Sequence, residues 1–295
     1  MPSVPPSRLH AAATTVRTYR KGALALARSL RGGRRPEAPL PAAPLPPPGW
    51  TVLPPDFIGV GTARSGTSWW DALIHDHPDV VRAQGAPKEI HYFDRFWQGE
   101  CTDAEFAAYH AFFPRPKGKL AGEWTPGYIL DVWTPPLLAR AVPQARLLAL
   151  LRDPVERFRS GRTLAENRLT VGATPRAAAN AGFQRGLYAD QLLRLWSAFP
   201  RPQVLVLQYE QCVRDPRGQL RRTFEFLGLD PEPADTILVE RVVNESRGPK
   251  VTLTAAQRET LVRCYAPESR RLATLLPADL DLSLWQLPRD GENAP

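Results

Sequence analysis

Cysteine is scarce in this chain. Its 295 residues hold three, Cys101, Cys212 and Cys264, none of them in a C-x-x-C pair. A sparse, odd set excludes a disulfide framework and a structural zinc site, and reads as reduced thiols in a cytoplasmic protein. Long apolar runs are missing as well. No stretch reaches the ~18 consecutive apolar residues of a membrane-spanning helix; the longest, such as Leu147–Leu151, have the length of a buried strand. Acidic residues are absent from the first 35 positions, which carry Arg8, Arg17, Arg20, Lys21, Arg28, Arg31, Arg34 and Arg35. No internal repeat is present, which excludes a solenoid or a propeller.

What is there is the composition of a globular protein, with 43% hydrophobic and 23% charged residues, enough for one large domain. The net charge of +8 favours an anionic partner without choosing among nucleic acid, membrane surface and phosphorylated ligand. Much of that excess sits in residues 1–50, where the basic stretch runs into Pro41, Pro44, Pro46, Pro47 and Pro48. Repeated proline prevents helix and sheet, so residues 1–50 read as a disordered tail. Weak membrane-surface contact through its basic residues and a transit peptide are the alternative readings. From Thr51 onward, continuous apolar strands alternate with helices. Strands are expected at Phe57–Val60, Lys119–Glu123, Arg146–Leu151 and Val204–Leu207. Helices are expected at Thr67–His75, Thr134–Ala141, Asp153–Asn167, Arg185–Phe199, Arg214–Leu227 and Thr254–Leu275, the last broken or kinked near Pro267. That order predicts an α/β fold with three layers, a central parallel sheet covered by helices on both faces.

Phe57-Ile-Gly-Val-Gly-Thr-Ala-Arg-Ser-Gly-Thr-Ser68 is a strand, a Gly/Ser/Thr loop and a helix start. The loop falls at the carboxyl end of a strand, where ligands bind in parallel sheets, and a helix start favours an anion. Gly61 and Gly66 are read as allowing close backbone approach to that anion, with hydroxyls from Ser65, Thr67 and Ser68 and a fixed charge from Arg64. The Gly61…Gly66 spacing is that of a P-loop, but Thr67 stands where a nucleotide hydrolase has its lysine. That lysine serves the β- and γ-phosphates, so this P-loop-like turn suits a different polyanion. In Leu147-Leu-Ala-Leu-Leu-Arg-Asp-Pro-Val-Glu-Arg-Phe-Arg-Ser160 a buried strand delivers Arg152 to the same edge. Ser160 follows about two helical turns on, and an arginine clamps phosphate through charge-assisted hydrogen bonds.

These two segments together resemble the sulfotransferases that use 3′-phosphoadenosine-5′-phosphosulfate (PAPS). Arg64-Ser-Gly-Thr-Ser68 is similar to the family's 5′-phosphosulfate loop, which usually carries lysine at the Arg64 position. Arg152 and Ser160 match its 3′-phosphate ligands. Lys88-Glu-Ile-His-Tyr-Phe-Asp94 resembles a segment of the glycosaminoglycan sulfotransferases of heparan sulfate type, in which the glutamate at the Glu89 position is the general base; His91 is the fallback base, and Asp94 matches a residue beside them. Gly122-Glu-Trp-Thr-Pro-Gly-Tyr128 is similar to a further family segment, where Glu123 orients the acceptor, joins the base network or anchors the loop. Asn244-Glu-Ser-Arg-Gly-Pro-Lys250 falls where the family has a basic glycine loop over the nucleotide, making Arg247, Gly248 and Lys250 candidates for cofactor binding.

The resemblance covers about Asp56–Leu275. It implies a sulfotransferase domain at 51–295, with PAPS as co-substrate and no metal. It further implies a small-molecule or saccharide acceptor, with Trp69, Trp70, Trp97 and Trp124 near the motifs as candidates for its cleft. Two rivals make different demands. A P-loop kinase or nucleotide hydrolase needs magnesium, and a non-catalytic basic protein binding nucleotide or nucleic acid needs a basic stripe with interleaved aromatics.

Overall fold

The computed structural model describes residues 42–167, 174–240 and 250–287. Arg247 and Gly248, both cofactor candidates, lie outside the described residues, as does most of the basic tail. Among the described residues no helix is long and apolar enough to cross a membrane.

Five parallel strands form the sheet: β2 (Phe57–Gly61), β3 (Val80–Arg82), β5 (Leu120–Trp124), β6 (Arg146–Leu151) and β7 (Val204–Gln208), in the spatial order β3-β5-β2-β6-β7. A separate two-residue ladder pairs β1 (Thr51–Val52) antiparallel with β4 (Pro114–Arg115). The alternation within each strand sends side chains to opposite faces. On β6, Leu147, Ala149 and Leu151 join one core, whereas Leu148 and Leu150 join the other. The second core is closed by α1 (Thr67–Ile74) and α8 (Pro216–Leu227) through Trp70, Leu73, Leu220 and Phe224. The first is closed by α2 (Asp103–His110), α3 (Thr134–Ala141), α6 (Tyr188–Ala198) and α9 (Ala255–Leu275). The remaining helices are α4 (Pro154–Asn167), α5 (Pro175–Gln184) and α7 (Tyr209–Arg214). The expected covered parallel sheet is the observed one.

Three helix expectations shift, each for a local reason. The helix expected over Arg185–Phe199 starts at Tyr188, and α5, unforeseen, precedes it, begun by Thr174, whose hydroxyl accepts from Ala177 N–H. The helix expected from Arg214 starts at Pro216, because Asp215 caps it by accepting from Gly218 N–H and proline suits the first turn. Helix α9 runs on past Pro267 without interruption. Tyr265, Ala266, Ser269 and Leu272 are buried around that proline, so tertiary packing overrides the local penalty. At its start the Thr254 hydroxyl accepts from Gln257 N–H while the Gln257 side chain accepts from Thr254 N–H, a reciprocal capping box.

Strand β2 is central, with β5 on one side and β6 on the other. The chain leaves β2 outward through α1 to β3, and it crosses back to build β6 and β7 on the far side. The carboxyl ends of β2 and β6 therefore flank the switch point of the sheet, the place where ligands bind in open α/β folds.

Candidate active site

The loop after β2 is shaped from inside. Gly66 adopts φ 87, and a Cβ there would meet the Tyr209 ring at 2.7 Å. Both facts require glycine. Gly61 is required for a different reason from the expected one: a Cβ would lie 2.5 Å from Ile129 Cγ2, so its task is packing rather than approach to an anion. The Ser65 hydroxyl, expected among the donors, is fully buried and shares a 2.6 Å hydrogen bond with Thr62 Oγ1. It turns inward and shapes the loop. Thr67 is likewise buried, as the first residue of α1. Helix α1 has neither a capping side chain nor an acidic residue in its first turn, and the dipole at a helix start favours an anion.

Side chains from three other elements converge on this loop. Arg64, itself at φ 72, donates from Nε to Ser160 Oγ at 3.1 Å. Arg152, at the end of β6, donates to the Arg64 carbonyl at 3.3 Å, and its guanidinium lies 4.7 Å from the centre of the Tyr209 ring. Lys88 Nζ reaches Ser68 Oγ at 3.2 Å and Glu89 Oε1 at 3.4 Å. Residues distant in sequence (Arg64, Ser68, Lys88, Arg152 and Ser160) thus share one edge of the sheet. Val251 N–H donates to Thr163 Oγ1, one helical turn beyond Ser160, and Lys250, the residue before it, is exposed.

Behind Arg152 stands a set of acceptors, Asp153 buried and Glu210 half-buried. Asp153 Oδ1 accepts from Val155 and Glu156 N–H at 2.8 and 3.2 Å, capping α4, and its Oδ2 accepts from Gln286 N–H at 2.7 Å. Glu210 accepts from Asp153 N–H and from Trp285 Nε1, both at 2.9 Å, and Tyr188 OH donates to the Arg152 carbonyl at 2.8 Å. Burial pushes the Glu210 carboxyl up from its ordinary pKa. Arg157, the motif's second arginine, is buried and donates to the Gly182 carbonyl, tying α4 to α5 rather than facing the site.

Glu89, His91 and Asp94 form a chain. His91 Nε2 lies 3.3 Å from Glu89 Oε2 and His91 Nδ1 lies 2.7 Å from Asp94 Oδ2. Held between two carboxylates, with the Asp94 hydrogen bond the larger cause, the His91 imidazole is pushed up to about 10, so it is an imidazolium at neutral pH. The hydrogen bond from His91 holds the Glu89 carboxyl below its ordinary value, with Lys88 adding to this. Asp131 faces the same group; burial, then the Asp94 charge, pushes it up to about 6. Of the tryptophans expected at the acceptor cleft, Trp70 and Trp124 are core residues and Trp69 is half-buried with its indole N–H on the Val239 carbonyl, whereas Trp97 is 62% exposed.

Lys88, Tyr209 and Tyr188 complete the site beyond the residues singled out as ligands or bases. Lys88 had a signal, its place beside Glu89. Tyr188 and Tyr209 sit where members of the resembled family have similar residues, Tyr209 being read mainly as structural, and nothing marked its contact with Arg152.

A switch-point loop that lacks the hydrolase lysine and carries Arg64, with Arg152 and Ser160 against it, defines an α/β protein with a P-loop-like cationic edge. Comparison with known proteins shows which family this chain falls in. Residues 54–266 match the sulfotransferase domain family, and the chain belongs to that family. Heparan sulfate glucosamine 3-O-sulfotransferase 6 of Mus musculus is 31% identical over 222 residues, 66% of this chain and 63% of that protein. The Homo sapiens protein of the same name is 33% identical over 208 residues, 66% and 58% of the two chains. This chain therefore spans about three-fifths of the length of these curated relatives. Among solved structures, a sulfotransferase from Alicyclobacillus acidocaldarius shares the fold, with a TM-score of 0.61 at 24% identity over 78% of this chain and 98% of that one.

Proposed function

We propose that this protein transfers the sulfuryl group of PAPS to a hydroxyl of a sugar or glycosylated metabolite. The observation that carries the reading is the Arg64–Ser160 hydrogen bond at 3.1 Å with Arg152 against the same loop: one anion-binding edge made by the two segments that the family uses for the two ends of PAPS. The start of α1, Arg64 and Lys88 suit the 5′-phosphosulfate, while Arg152, Ser160 and Lys250 suit the 3′-phosphate. The names of the curated relatives support a saccharide acceptor.

In this reading the acceptor oxygen attacks sulfur in line, the bond from sulfur to the bridging phosphate oxygen breaks, and Glu89 takes the hydroxyl proton. Arg64 and Lys88 stabilise the charge that gathers on the departing phosphate. Glu89 serves as base rather than His91, because the imidazole already holds its proton near neutrality. A carboxylate kept ionised by a neighbouring cation is a weak base of constant availability, and its contribution lies mainly in placement. The test is transfer of labelled sulfate from PAPS to heparan sulfate oligosaccharides and to neutral glycosides. Label should move to one of these classes with the wild type and not with Glu89→Gln, while both bind 3′-phosphoadenosine-5′-phosphate (PAP) alike. Equal transfer by the two would remove Glu89 from the base role, and PAP binding without transfer to any acceptor would leave a non-catalytic binder.

A further inference from the structure

The base-bearing segment belongs to no helix or sheet between Lys88 and Tyr92, so no ladder satisfies its backbone. Three side chains from one neighbouring segment do so instead. Ile90 N–H donates to Glu123 Oε2 at 3.4 Å, His91 N–H to Thr125 Oγ1 at 3.3 Å, and Tyr92 N–H to Tyr128 OH at 2.9 Å. The acceptors are themselves braced: Thr125 Oγ1 donates to Glu123 Oε2 at 2.5 Å, and Tyr109 OH donates to Glu123 Oε1 at 2.8 Å. All of Glu123, Thr125, Tyr128 and Tyr109 are buried. His91 adopts φ 54, a left-handed conformation that is uncommon for a residue with a side chain and persists only where the surroundings hold it.

We propose that Glu123, Thr125 and Tyr128 are positioning residues for sulfuryl transfer, fixing Glu89 and His91 through three consecutive backbone amides. This rests on reading the chain as a sulfotransferase with Glu89 as base. It gives a chemical task to a segment that touches the reacting groups only through the Ile90–Tyr92 backbone. Strand β5 supplies Glu123, and the turn that follows supplies Thr125 and Tyr128, so the base is referenced to the same rigid sheet as the phosphosulfate loop. A shift on the order of 1 Å in such a group costs about a hundredfold in rate, which is the scale of effect assigned to losing the clamp.

The test uses the full chain and needs no identified acceptor. In the wild type, the amides of Ile90, His91 and Tyr92 should exchange slowly with solvent although they lie outside regular structure; fast exchange would overturn the proposal without any variant. Thr125→Val keeps the shape and removes the His91 acceptor, and Tyr128→Phe removes the Tyr92 acceptor. Each should leave PAP affinity by calorimetry within about twofold of wild type. In ring NMR, with His91→Gln assigning the signal, the His91 titration should fall from about 10 toward 6.5 by roughly one pH unit or more as the Glu89, Asp94 and Asp131 environment loosens. Thr125→Ser should restore it. Variants that fold and melt lower yet keep the His91 titration would show a merely structural role. A wild type that fails to bind PAP would instead sink the sulfotransferase reading, so the two failures are distinguishable.

Discussion

At the scale of single residues, the two most consequential charges of the proposed transfer lie on opposite sides of it. In the proposed reaction Arg64 serves the departing phosphate and Glu89 serves the acceptor. Removing an oriented donor of the first kind costs about 2.7–4 kcal/mol, or a hundredfold to a thousandfold; Arg64→Ala should show that loss in transfer rate, measured with labelled PAPS. The pH profile separates the two candidate bases. Glu89 has a lowered pKa, so it stays ionised as pH falls through its ordinary value near 4.5, and the rate should be flat from about pH 6 to pH 9. A rise with a midpoint near 6.5 would mean that His91 titrates as an ordinary imidazole and is the base. Sequence alone named Arg64, Arg152 and Ser160 from loop and strand patterns with a chemical reason, and Glu89 and His91 through the family resemblance. The direction of the Ser65 hydroxyl was not legible, because nothing in a Gly/Ser/Thr loop says which hydroxyl turns inward to Thr62.

Elements, rather than residues, explain why Arg152 is held. The segment around Trp285 and Gln286 crosses the start of α4, and Asp153 and Glu210 each accept one hydrogen bond from it. Asp153→Ala removes both that contact and the cap on α4. A lost cap alone costs about 0.5–2 kcal/mol, so thermal unfolding should fall measurably and PAP affinity should weaken with it, since Arg152 is the preceding residue. Unchanged PAP affinity in a destabilised Asp153→Ala protein would show that the strap supports the fold and not the phosphate arm. At the other end of the chain's last long helix, Thr254→Ala should cost roughly 1 kcal/mol through loss of the capping box, with PAP binding untouched. Strands β2, β6 and β7 were readable as continuous apolar runs. Helix α5 was not: Pro175–Gln184 has few large apolar residues, and its start signal, Thr174 before Pro175, stands apart from any strong periodic pattern. The run past Pro267 was equally hidden, since burial of Tyr265, Ser269 and Leu272 is a tertiary fact.

For the whole molecule, strand order decides the site. The sequence pattern implies a parallel sheet but not that β2 lies between β5 and β6, and it is this order that brings Arg64 and Ser160, 96 residues apart, within hydrogen-bonding distance. The two motifs and their shared carboxyl edge were legible in the sequence, and the strand order that joins them there required the fold. That union is the central claim, and calorimetric titration with PAP in EDTA, with ADP as the comparison, tests it most directly. A charge-assisted hydrogen-bonding site for the 3′-phosphate, worth about 1.5–3 kcal/mol, predicts binding of PAP roughly 10- to 100-fold tighter than ADP, with the difference lost in Arg152→Ala. Equal affinity for the two nucleotides, or binding that requires magnesium, would contradict the account and put a P-loop nucleotide hydrolase in its place.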